Sequence, residues 1–174
     1  MLDSIFDLIE GNHLPMNSLV EHQFPVLEQT LALRHHLLDN LTDADLAFGL
    51  PGNPTLGELC RESGQYDPIY IESFKTFAMD WTKPPAPTGA ESSVAALRDW
   101  YTRSDEALKA AIRALSEEDV QGKMIDRQEG GFIVPAGVQF HIYREGLLIF
   151  CAKVSVYLRA LAKSHPEQWE TWIG

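Results

Sequence analysis

A chain of 174 residues, 45% hydrophobic and 22% charged, suits one domain with a full core and leaves no room for a long disordered region. Fourteen basic against 25 acidic residues give a net charge of −11; with no basic cluster as a local exception, this excludes nucleic acid as an expected partner. The longest unbroken apolar run, residues 147–152, is far too short to cross a bilayer, so no membrane partner is expected. The start, MLDSIFDLIEGN, has neither a basic region nor a cleavage-like site, and the expectation is a cytoplasmic protein. Cys60 and Cys151 form no CxxC pattern, so reduced thiols are expected, with a disulfide left open if their helices touch.

Residues 2–9 pattern as a short amphipathic helix with Ile5, Phe6 and Ile9 inward. A longer helical pattern covers residues 15–40. Pro25 inside it predicts either a kink or a new helix with proline in its first turn. Residues 39–54, DNLTDADLAFGLPGNP, are turn-rich, with the strongest break at 51–54. Thr55 and Glu58 then form a capping box, the hydroxyl accepting from the amide three residues on while the carboxylate reaches back. It opens a second long helix, predicted to run to Trp81 with a bend at Pro68. The proline-rich stretch 82–90 reads as irregular.

Thr88 and Glu91 make a second box candidate, opening a third helix over 91–115 with Leu97, Tyr101, Leu108 and Ile112 inward. Residues 116–120 read as a turn. Residues 122–134 read as a loop holding Asp126, Arg127 and Gly130-Gly131, with an extended piece at 132–134. The segment 135–161 is the central packing element. Phe140, Tyr143, Leu147, Phe150, Val154, Tyr157 and Leu161 recur at alternating spacings of three and four along one helical face. The tail carries Trp169 and Trp172, which are costly to expose and are expected to dock on the bundle or on a second subunit. Four long helices with unequal connections predict an all-α, single-domain four-helix bundle. The crossovers at 39–54 and 116–134 argue against simple hairpins throughout.

Two stretches carry a family resemblance: NLTDADL with PGNPTLGELCRE (within 40–62) and KVSVYLRAL (153–161). In this order and spacing the chain resembles the DinB-like (DinB/YfiT) superfamily. The resemblance implies a four-helix bundle, often a homodimer. It further implies a divalent metal held by one histidine on the second helix and an HxxxH pair on the last. Its characterised relatives include low-molecular-weight thiol transferases and a mycothiol-dependent isomerase, in which a metal-bound thiolate is the nucleophile. Carried over residue by residue, the three ligand positions fall on Glu62, Gly146 and Phe150, and the usual HRGQ run falls on residues 150–153. Glycine and phenylalanine offer no donor atom, so the standard site cannot form. The expected cofactor is none. A shifted set of Glu62, His141 and Glu145 is the alternative for a divalent ion such as zinc or nickel.

Glu62 is expected in a pocket between the second and last long helices, where a buried carboxylate needs a partner. Arg144 or His141 is expected to supply the charge, and Tyr66 or Tyr143 a hydrogen bond. The pocket candidates are therefore Glu62, Tyr66, His141, Tyr143, Arg144, Glu145 and Phe150; no catalytic residue is assigned. One reading of Glu62 is an interhelical salt bridge that replaces the metal. The other is a polar pocket for a small molecule. His35 and His36 are expected on the solvated surface, and Asp126-Arg127 either at a pocket mouth or simply in solvent. No GxSxG, phosphate-binding loop or HExxH is present. The function expected is small-molecule binding or protein interaction as a homodimer. Two alternatives remain: a thiol-dependent transferase with a non-standard site, and a structural partner protein using the tryptophan tail.

Overall fold

The central element is α6 (Ala136–Ala160), and the predicted seam from Phe140 to Tyr157 is buried along its length. The structure, a computed structural model, describes residues 16–128 and 131–172. The other long helices are α1 (Ser18–Asp39), α3 (Leu56–Thr76) and α4 (Val94–Arg113). Short helices α2 (Asp43–Leu46), α5 (Glu117–Gly122) and α7 (Glu167–Trp172) and a ribbon of β1 (Met124–Asp126) and β2 (Ile133–Pro135) complete the described fold. The ribbon is antiparallel and pairs Ile125 with Val134. The predicted helix at residues 2–9 lies outside the described residues.

Each long helix packs on two others. α1 and α3 each touch both α4 and α6, so α1 faces α3, and α4 faces α6, across the diagonals. The core falls into two clusters. One takes the first half of α1, the second halves of α3 and α4 and the first half of α6; the other takes the opposite halves. The helices therefore run up, down, down, up. The two predicted crossovers are the diagonal connections. The segment 77–93 must return along the whole length of α3. It does so through Gln65 Nε2, which donates to the Pro84 carbonyl at 2.9 Å, and through Gly57. A Cβ on Gly57 would lie 1.8 Å from the Glu91 carbonyl oxygen, so only glycine permits this approach.

Local chemistry explains most boundaries. Asn17 caps α1, accepting from Val20 N at 3.1 Å, while its Nδ2 donates to the carbonyls of Ile112 and Leu115 at the end of α4. The Thr55/Glu58 box opens α3 as predicted. α1 and α3 continue through Pro25 and Pro68. Three expectations are corrected. α3 stops at Thr76 rather than Trp81, because Phe77 turns left-handed (φ 58°) and the chain beyond it pairs with β1, Met79 N donating to Asp126 O at 2.8 Å. Thr88 and Glu91 do not cap α4; a 3₁₀ turn occupies Ala90–Ser92 and the Ser93 hydroxyl accepts from Ala96 N. α2 and α5 stand where turns were expected. Each is opened by an Asp whose carboxylate accepts from a Thr or Ser three residues earlier. Trp169 takes the first of its two expected placements, docking on its own bundle, buried, with Nε1 donating to the Leu33 carbonyl at 2.9 Å.

Candidate functional site

At the level where the two core clusters meet, each long helix contributes a polar side chain to one buried node. Arg34 of α1 donates through Nη1 to Asp67 Oδ2 of α3 at 2.8 Å and through Nη2 to Asp105 of α4. Tyr143 of α6 donates its hydroxyl to Asp67 Oδ1 at 2.9 Å. His35 reaches Asp105 Oδ2 at 2.7 Å, and the Arg34 guanidinium lies 4.3 Å from the Tyr101 ring centre. Burial opposes the charge on Arg34, but Asp67 leads the neighbouring groups that hold its pKa well above the ordinary value. Burial pushes the Asp67 carboxyl up, against Arg34 and the Tyr143 hydrogen bond. The Arg34 guanidinium and the Tyr143 hydroxyl both donate, one to each oxygen, so the Asp67 carboxyl accepts on both sides. Burial raises the Tyr143 hydroxyl well above its usual range, so it stays a donor.

Above Asp67 and Tyr143, a cleft of about 250 Å³ opens between α3 and α6. Of the seven pocket candidates, Glu62, Tyr66, Tyr143 and Phe150 line it, together with Gly146, Trp81 and Lys153. The carboxylate of Glu62 is not paired with Arg144 or His141. Lys83, on the return segment, donates to it at 3.0 Å and also sits 4.3 Å from the Tyr66 ring centre. The other three pocket candidates are not part of the lining. His141 and Glu145 are exposed, and Arg144 turns toward α1, its Nε donating to Thr30 Oγ1 at 3.2 Å. Helical phase is the reason: at ~100° per residue, positions 141 and 145 fall on the far side of α6 from 143, 147 and 150. Glu62, His141 and Glu145 are therefore not brought together.

Sequence reasoning missed Arg34, Asp67 and Asp105 of the node and four further contributors. His35 is not a solvated surface residue, being tied to Asp105 and packed edge-on against Tyr101. Arg127 is buried rather than loop-exposed. Its Nη1 donates to Gln139, which in turn donates to Ser73 Oγ at 2.9 Å. Its guanidinium is flanked by Tyr70 and Trp81, so it backs the cleft wall those rings form. Only placement reveals Lys83, which carries no motif, and Lys153, which opens the family-like stretch 153–161 without being read there as a site residue. Cys60 and Cys151 are free and buried; burial pushes both thiols up to about 12, leaving them protonated.

The comparison with protein families is decisive for the fold's kinship: a profile of the DinB superfamily matches residues 27–145. The chain belongs to the DinB superfamily. Among solved structures, a DinB-like protein from Bacillus cereus ATCC 10987 is similar at 18% identity, covering 82% of this chain and 93% of its own, with a TM-score of 0.67. That likeness supports the DinB fold. A search of curated proteins found no significant match. The metal that DinB kinship implies can be tested against the donor set. Glu62, Gly146 and Phe150, the positions onto which the resemblance carries the ligands, all line one cleft. They present one carboxylate already bound to Lys83, no side chain and a phenyl ring. This set does not fit a divalent cation. Among the described residues no group of three His, Cys, Asp or Glu side chains is arranged for one.

Proposed function

We propose that this DinB-superfamily protein binds a small molecule in the α3–α6 cleft, through apolar walls and fixed polar groups rather than through an ion held at positions 62, 146 and 150. The observation that carries this reading is the convergence of Glu62, Gly146 and Phe150 on one cleft that offers a Glu62–Lys83 salt bridge and an aromatic wall. The rigid floor supports it. Asp67 and Tyr143 are fixed by Arg34, which gives the preorganisation a binding site needs.

The test is metal retention. After incubation with zinc or nickel and gel filtration, elemental analysis is expected to find no stoichiometric ion on the native chain. Replacing Glu62, Gly146 and Phe150 together by histidine is expected to create retention, since a Cβ on Gly146 meets nothing within 4 Å. One ion per native chain, lost in Glu62→Ala, would overturn the proposal.

A second reading, a homodimer, is favoured by a separate observation on α6. Val138, Ile149 and Val156 are 43%, 57% and 54% exposed. With half-buried Ile142 and exposed Ala152 they share one side of the helix at spacings of four, seven, three and four, a second apolar stripe interrupted at Glu145 on a helix whose other face already fills the core. A stripe of this kind suits the same stripe on a second copy.

A further inference from the structure

We propose that the ligand of the cleft is a small aromatic monoanion, an aryl carboxylate or its equivalent, with its ring against Tyr66, Trp81 and Phe150 and its charge on Lys153. This rests on the reading of the cleft as a small-molecule site and adds the class of occupant. Charge balance carries the argument. The charged side chains lining the cleft are Glu62, Asp67 and Lys153. Glu62 is paired with Lys83 at 3.0 Å, and Asp67 with Arg34 at 2.8 Å, the Tyr143 hydroxyl being on its other oxygen; Arg34 is shared with Asp105, which His35 also holds at 2.7 Å. Lys153 makes no ion pair among the described residues, so the lining is left with one unanswered positive charge. An incoming anion gains a partner there. An incoming cation meets like charge and finds both carboxylates already taken.

The walls set the rest of the ligand. Tyr66, Tyr70, Trp81, Tyr143 and Phe150 line a space of about 250 Å³, just below the ~300–1,000 Å³ typical of small-molecule sites. One or two fused rings fill it and a longer chain does not. Flat rings stack on such walls with little loss of conformational freedom.

The probes are 1-naphthoate, 1-naphthalenemethanol and 1-naphthylmethylamine, titrated calorimetrically into the native chain and into Lys153→Met, Lys153→Arg and Gly146→Phe variants. Circular dichroism checks that each variant is folded. Naphthoate is expected to bind most tightly. Lys153→Met should weaken it about two- to fivefold while leaving the alcohol unchanged, the size of an exposed charge contact, and Lys153→Arg should restore it. Gly146→Phe, which places a ring in the cleft from a position with open space around its Cβ, should abolish binding. Equal or tighter binding of the amine, or naphthoate binding indifferent to Lys153→Met, overturns the ligand class and leaves the cleft reading standing. Naphthoate binding that survives Gly146→Phe places it outside the cleft and overturns the assignment. Failure of all three probes to bind overturns the cleft reading and this inference with it.

Discussion

Arg34 occupies a leucine's position. It lies in the helical phase of Leu27, Leu31 and Leu38, and it is 1% exposed. A guanidinium there is tolerable only because Asp67 and Asp105 face it directly and Tyr143 satisfies the second oxygen of Asp67. Such a cluster adds little net stability over hydrocarbon of the same shape, yet removing one member strands the others. Arg34→Met is therefore expected to lower the unfolding free energy by ~3–5 kcal/mol, measured by urea denaturation. Arg34→Met with Asp67→Leu should recover part of the loss, because one stranded carboxylate is gone; no recovery would mean that Asp105, not Asp67, suffers most. The charge of the node was not legible in advance. Arg34, Asp67 and Asp105 each sit at core-phase positions of their own helices, but which acid meets which base depends on the diagonal arrangement of the helices.

At the scale of elements, what was legible was what is decided locally. The start of α3 is a case. The Thr55 amide, and then its hydroxyl, hold the Glu58 carboxylate below its ordinary range. The sign follows directly: a carboxylate with a lowered pKa in the folded chain stabilises it fully above the unfolded value of ~4.3, and that contribution is lost as pH falls through the lower folded value. The melting temperature, followed by circular dichroism from neutral to strongly acid pH, should fall more gently in Glu58→Gln than in the native chain below about pH 4. Identical slopes would remove Glu58 from the acid response. The end of α3 was not legible, because Phe77 and Met79 bond to Asp126, far along the chain. The same division runs through the site. Glu62 and Phe150 were named from the resemblance to known bundles and Tyr66 and Tyr143 from the inward faces of their helices, whereas Lys83 reaches the cleft only because the return segment runs back along α3.

For the molecule as a whole, the seam of α6 and the two crossovers fixed the bundle's plan from the chain alone, since a seven-residue apolar stripe and unequal connections admit few arrangements. The second, outward stripe of α6 was not separable from the first, because a helix apolar on two sides has no clear phase. Its role is testable. If it joins two copies, light scattering coupled to gel filtration should report twice the chain mass for the native protein, and Val156→Glu should reduce it to the monomer without altering the circular dichroism spectrum. A native monomer at all concentrations would dismiss the stripe as an interface.

The buried node also governs how the rods of this bundle can slide. Coiled helices packed through leucine alone can slip by a turn with modest penalty, since one methyl-bearing ledge resembles the next. Here a one-turn slip of any rod would drive a lone charge or hydroxyl into hydrocarbon above or below. The chain thus carries its own axial stop, and that stop is also the floor beneath the cleft, so depth and alignment of the cavity are set by the same four side chains that forbid the slip.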